Sequence, residues 1–178
     1  MTGGGNVERR DPSTRDRIAA FVRAHPGIHF NELVRRLDLA PGQAQYHLRR
    51  LARAERVVGE AVSGRTHYFD PSIDPEERRR VALFRRETAR DAVVELLDGP
   101  ARPDAVADAV GVARSTLEHH LDGLVDADVV EKRRGPRGRV TLALVDAEAA
   151  ARSLRRIEPS LPDRLLDRFT RLVDAVLE

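Results

Sequence analysis

The chain has 178 residues, of which 41% are hydrophobic, 34% charged and 4% aromatic, the profile of a folded chain with one ordinary domain or two small ones. It has no Cys, which excludes a disulfide scaffold, a thiol nucleophile and a thiolate zinc site. No apolar run approaches the roughly 18 residues of a membrane span, and 31 cations against 29 anions give a formal net charge of +2 that by itself names no partner.

Residues 1–12, with Gly3-Gly4-Gly5, read as a disordered N-terminus. No apolar stretch follows the first charges, so the start does not read as a secretory signal, and the expected address is the cytoplasm. Ser13–Ala24 places Ile18, Phe21 and Val22 at helical spacing, and His25-Pro26-Gly27 stops it. Ile28-His29-Phe30 is a short extended piece. Asn31 is the expected N-cap of a helix to about Leu37. Asp38-Leu39-Ala40 is a turn, and Pro41 suits the first position of a helix to about Arg53. Val57–Val62 and Thr66–Phe69 read as strands joined at Ser63-Gly64-Arg65.

Asp74-Pro75-Glu76-Glu77 is a strong helix start, and neither Gly nor Pro follows until Gly99-Pro100. One or two continuous helices are expected there, the second covering Thr88–Leu97. Helices over Pro103–Val110 and Arg114–Ala127 follow, separated by Gly111-Val112-Ala113. Strands Val129–Arg134 and Arg139–Val145 flank the tip Gly135–Gly138, and a helix covers Ala147–Arg156. The tail predicts a last, strongly amphipathic helix from about Pro162 to Leu177, which would pack on its own domain or pair two copies of the chain.

The chain repeats itself at an offset of 73 residues. Leu39-Ala40 falls on Val112-Ala113, His47-Leu48 on His120-Leu121, and Leu51, Ala54 and Val57 on Leu124, Ala127 and Val130. Two modules of one kind are expected: residues 13–72 and 88–146, joined by a helical linker at 73–87 and followed by helices at 147–178. The expected fold class is mainly α with small β-hairpin wings.

Three helices with a tight turn before the third, then a hairpin, resemble the winged helix-turn-helix domains of prokaryotic, archaeal-type transcription regulators of the MarR, ArsR and TrmB kind. The residues carrying the resemblance are Phe30-Asn31-Glu32-Leu33 through Tyr46-His47-Leu48-Arg49-Arg50-Leu51, and Val110-Gly111-Val112 through Glu118-His119-His120-Leu121. It implies two tandem winged helices on double-stranded DNA, with the third helix of each in a major groove and the hairpin on backbone or minor groove.

In the first copy, Ala44, Leu48 and Leu51 define the buried face of the third helix. Gln43, Gln45, Tyr46, Arg49, Arg50 and Arg53 are the candidate DNA contacts, with Arg65 at the hairpin. Gln reads adenine, and Arg reads guanine or grips phosphate. In the second copy the corresponding helix carries Glu118, Asp122 and Asp126 against one Arg, and carboxylates repel phosphate. Only Ser115, Thr116 and His119 remain as candidates there. Its hairpin reverses the sign: Lys132, Arg133, Arg134, Arg137 and Arg139 form a basic finger suited to backbone or minor groove. Helix-led contact in one copy and wing-led contact in the other is the expectation.

No catalytic or metal-ligating constellation rises from the sequence, and neither a cofactor nor an enzymatic activity is expected. His25 and His29 are separated by the helix-breaking Pro26-Gly27, and adjacent His119 and His120 point about 100° apart. A P-loop, a G-x-S-x-G elbow and an H-E-x-x-H helix are all absent from the sequence. Two alternatives stay open. One is a tandem winged-helix scaffold for protein partners, in chromosome organisation or complex assembly. The other is a regulator answering a small molecule, which needs a pocket that the sequence does not display.

Overall fold

The computed structural model describes residues 13–157. The first expected segment, 1–12, and the expected amphipathic helix at Pro162–Leu177 lie outside the described residues, and with that helix the pairing of two copies. The first half contains α1 (Thr14–Ala24), β1 (Ile28–His29), α2 (Phe30–Leu37), α3 (Pro41–Arg53), β2 (Val58–Val62) and β3 (Arg65–Phe69). Ser13 caps α1, its hydroxyl accepting from the Asp16 N–H at 3.3 Å. The three strands form one antiparallel sheet in the order β1-β3-β2, with Ile28 opposite Tyr68 and Glu60 opposite His67.

The start of α2 corrects the sequence expectation. Its N-cap is His29, not Asn31. The imidazole Nδ1 accepts the Glu32 N–H at 3.3 Å, doing for the first turn what a hydroxyl or carboxylate does elsewhere. His29 is also the last residue of β1, so strand and helix abut without a loop.

The long stretch after Asp74 forms two helices, α4 (Pro75–Phe84) and α5 (Glu87–Leu96). The break falls at Arg85-Arg86, where Arg86 is extended (φ −89°, ψ 120°). Neither Gly nor Pro makes this bend. Arg85 donates twice to the Pro26 carbonyl, at 3.0 and 2.7 Å. Arg86 donates to the Ser63 carbonyl at 2.9 Å. Both guanidiniums tie the bend to turns of the first half.

The second half runs α5, α6 (Pro103–Val110), α7 (Arg114–Asp126), β4 (Val130–Arg134), β5 (Val140–Leu144) and α8 (Ala147–Ile157). A 3₁₀ turn at Pro136–Gly138 joins β4 to β5. The sequence repeat has a backbone counterpart. The turns before α3 and α7 hold Asp38 (φ 51°) and Gly111 (φ 76°) in the left-handed region, and Glu55 (φ 53°) and Asp128 (φ 52°) do the same after them. The Arg56 N–H bonds Leu51 O at 2.9 Å, and the Val129 N–H bonds Leu124 O at 2.9 Å. Even the two-residue strand β1 has its counterpart, since Ala101 bridges Leu142.

Two cores result. The smaller packs Ile18, Val22, Ile28, Leu33, Leu48 and Leu51 from the first half. The larger joins Val81, Phe84, Val93, Leu117, Leu121, Leu124 and Leu154. The first hairpin stands between them. Tyr68 packs on the smaller core, while Val62 and Phe69 belong to the larger. Side chains alternate across a strand, so β3 puts Tyr68 to one core and Phe69 to the other, while Gly59 and Ala61 of β2 are exposed. The fold is mainly helical with two small antiparallel sheets, α+β of the winged-helix kind. Among the described residues, no helix is long and apolar enough to cross a membrane.

Candidate nucleic-acid interface

The α3 helix buries Ala44, Leu48 and Leu51 and leaves Gln43, Gln45, Tyr46, Arg49, Arg50 and Arg53 exposed. The apolar stripe fixes the helix by its packing, and the helical period then sets the polar residues on the far side. Tyr46 is 50% exposed, unusual for so large a ring in a chain this poor in aromatics. It is held by Arg50, whose Nη1 donates to the phenol oxygen at 2.7 Å and whose guanidinium lies 5.6 Å from the ring centroid. Arg49 Nε donates to the Gln45 carbonyl at 3.4 Å. The helix carries no carboxylate, and the side chain of its N-cap, Ala40, makes no capping hydrogen bond. The first turn therefore keeps backbone N–H groups that favour an anion.

The first hairpin is buried along one face and exposed from Ser63 to Thr66 at its tip. His67 and Phe69 are buried, Val62 is 9% exposed, and the Ser63 carbonyl at the tip accepts from Arg86. Arg65 stays exposed and, with Gln45, lines a cleft of about 430 Å³ together with His29, Asn31 and Thr66. Sequence reasoning found Gln45 and Arg65 but not the other three. Asn31, in the first turn of α2, and Thr66, beside Arg65, were the available signals. The residues Tyr46, Arg49, Arg50 and Arg53 line a second groove of about 620 Å³ along α3.

The α7 helix has a different environment. Gly123, half-buried, sits so close to α4 that a Cβ there would lie 3.3 Å from the Leu83 side chain. Gly123 and Asp126 line a cavity with Glu60 to Ser63 of the first hairpin. The middle and end of α7 thus abut the chain's own first half. Ser115, Thr116 and His119 near its start remain exposed.

Residues 131–139 of the second hairpin are all exposed. They are not alike. Lys132 Nζ donates to Glu118 Oε2 at 2.7 Å, and Glu118 also takes Arg114 at 2.8 Å. Lys132 first, then Arg114, holds the Glu118 carboxyl below its ordinary range. Arg114 in turn bonds Asp104, and Arg133 pairs with Glu131 at 2.6 Å. Arg134, Arg137 and Arg139 make no ion pair among the described residues. Arg137 holds the turn with φ 62°, followed by Gly138 at φ 71°, and the Gly135 N–H closes the loop on Arg139 O at 2.8 Å.

His25 and His67 serve the fold. His25 donates from Nδ1 to the Phe21 carbonyl at 2.9 Å and accepts Arg36 on Nε2 at 2.9 Å, the pattern of a neutral ring. His67 Nδ1 donates to Gly27 O at 2.7 Å, and burial pulls its pKa down. Tyr46–His47 and His119–His120 adopt the same edge-on contact, 71° between rings, at matching positions of the repeat. No group of three or more potential metal ligands occurs among the described residues.

Residues 12–81 match a protein family described as an N-terminal HTH domain. That segment is the first half with most of α4. An uncharacterized HTH-type transcriptional regulator of Methanocaldococcus jannaschii is 24% identical over 120 residues, which cover 67% of this chain and 30% of that protein. The chain thus spans less than a third of the relative that it matches.

Proposed function

We propose that the chain is a transcription regulator of the winged helix-turn-helix kind, MarR/ArsR/TrmB-like, that binds double-stranded DNA sequence-specifically in the cytoplasm. The observation that carries the reading is the solvent face of α3: Gln43, Tyr46, Arg49, Arg50 and Arg53 exposed together on a helix without a carboxylate. The family match over residues 12–81 and the name of the archaeal relative support it. In this reading residues 13–72 and 88–146 act as tandem winged-helix domains. Arg49, Arg50 and Arg53 hold phosphates or a guanine edge, Gln43 reads a base, and Tyr46 reaches phosphate as the partner of Arg50.

The second half contributes through its hairpin. Arg134, Arg137 and Arg139 lie on an exposed loop that fits backbone or minor groove, while Lys132 and Arg133 already hold carboxylates. Ser115, Thr116 and His119 add contacts at the start of α7. The test is fluorescence anisotropy with a mixed-sequence duplex of about 30 base pairs at two salt concentrations, where the logarithmic slope counts the phosphates neutralised. A steep fall with salt supports the reading. Absence of binding at low salt, to mixed or selected sequences, sinks it.

A further inference from the structure

We propose that the free edge of β2 is a docking site for an extended, basic segment of another protein, which adds to the first sheet as a further strand. In the order β1-β3-β2, one side of β2 pairs with β3 and the other has no strand beside it. The tip sets the phase of the ladder. Ser63 (φ 49°) and Gly64 (φ 77°) both lie in the left-handed region, as in a two-residue type I′ turn. Such a turn closes on a hydrogen-bonded pair, here Val62 with Arg65. Bonded and non-bonded pairs then alternate along the strands. Glu60 and Val58 also bond across to β3, and the N–H and C=O groups of Gly59 and Ala61 point to the free edge. Both residues are exposed.

This edge is unguarded. Exposed edges are ordinarily blunted by charged side chains or bulges. The corresponding strand of the second half, β4, is blunted in that way by Glu131, Lys132, Arg133 and Arg134, all exposed. In β2 the small residues Gly59 and Ala61 flank a single charge, Glu60, which Arg78 holds at 3.5 Å. Beside β2 lies a groove of about 440 Å³, lined by residues 60–63 and by Arg79, Leu83, Gly123 and Asp126. No residue of β3 lines it, which puts it on the free side of β2.

Charge selects the occupant. With Glu60 paired, the groove keeps Asp126 against Arg79, and Asp122 stands one turn back on the same exposed face of α7. Neither aspartate makes an ion pair among the described residues. A second copy across a two-fold axis would bring these carboxylates towards their own counterparts. In an added antiparallel strand, the residue opposite Glu60 projects to the same side as Glu60, so a cation there reaches Asp126. No residue of α3 lines the groove, and the proposal does not rest on DNA binding.

The probe is a short capped peptide of alternating threonine and valine with lysine at its centre, titrated into the full chain and followed by backbone amide NMR. Saturable binding is expected, with the Gly59 and Ala61 amides moving downfield and gaining protection from hydrogen exchange. Methylating the backbone nitrogens of the two residues beside the lysine should weaken binding at least about tenfold, a test of the same bonds on the unaltered chain. Ala61→Pro removes an outward N–H and no ladder bond, and should weaken binding roughly fivefold with the melt checked. Glutamate in place of the lysine should bind about threefold more weakly, and Asp126→Asn should erase that difference.

No binding, binding that leaves both amides exchanging freely, or equal binding by the methylated peptide overturns the docking site. Lysine and glutamate peptides that bind alike overturn the basic partner. Protection of both amides in the chain alone also overturns it: the occupant is then a second copy if protection grows with concentration, and a segment of the same chain if it does not.

Discussion

The two hairpins stand at matching positions of the 73-residue offset and have opposite surroundings. The first is buried along one face, with Val62 and Phe69 in the larger core, while Tyr68 on the other face packs on the smaller core and the tip, exposed from Ser63 to Thr66, is bonded to Arg86. The second is exposed from residue 131 to 139 and carries five cations against Glu131. The accompanying helices show the reverse. The α3 face is open and basic, while α7 lies against α4 and the first hairpin and carries Asp122 and Asp126. Placement therefore decides which copy of a repeated element can meet a ligand. Burying one face of the first hairpin leaves only its tip, with Arg65, open beside α3, and packing α7 on the first half limits the exposed part of that helix.

Phe69, fully buried, carries the contrast between the hairpins most heavily. Phe69→Ala should cost about 3–5 kcal/mol in urea denaturation, whereas Arg137→Ala at the other tip should stay within about 0.5 kcal/mol. A cost below about 1 kcal/mol at Phe69 would mean that the first hairpin is no shared wall. Next, Arg49→Gln, Arg50→Gln and Arg53→Gln together should weaken duplex binding by roughly a hundredfold and flatten the salt slope by about 0.9 for each phosphate no longer neutralised.

Within the second hairpin, Arg134→Gln with Arg137→Gln should cost about tenfold in duplex affinity, equally on every sequence. Lys132→Gln with Arg133→Gln should cost less, since both cations already hold carboxylates. Equal losses from the two pairs would erase that distinction. The smallest effect concerns pH. Burial lowers the pKa of folded His67 below the ordinary 6.5, so the unfolded chain takes the proton first. Stability from this group is full above pH 6.5 and declines as pH falls through that value towards the folded pKa, by at most about 1.4 kcal/mol per pH unit for one site. His67→Gln should remove that part of the slope, measured as urea midpoints at about pH 7.5 and about pH 5.5.

Much of this was legible in the sequence because the determinants are local. Pro41 and the spacing of Ala44, Leu48 and Leu51 mark the bounds of α3 and its open face, and the offset of 73 residues marks α6 and α7. What escaped depends on residues far apart in the chain. The His29 cap needs an imidazole already aimed by its strand pairing with His67. The bend at Arg85-Arg86 needs carbonyls of Pro26 and Ser63 from distant turns. Lys132 reads as a free cation until Glu118, fourteen residues earlier, is seen across from it. Val62 and Phe69 were signals for the buried hairpin, but alternation shows that a strand has an apolar face, not that a second core waits on it.

A wall common to two rooms cannot be removed from one of them alone. Opening either core strips the first hairpin on one face, so calorimetric and van't Hoff enthalpies should agree as for a single cooperative unit, despite the duplicated sequence. Synthesis meets the same constraint in time. A growing chain that has completed the first half still shows Val62 and Phe69 to water, and the arrival of α4 covers them. The first half is thus finished by the helix that follows it, α4, whose other neighbours lie in the second half.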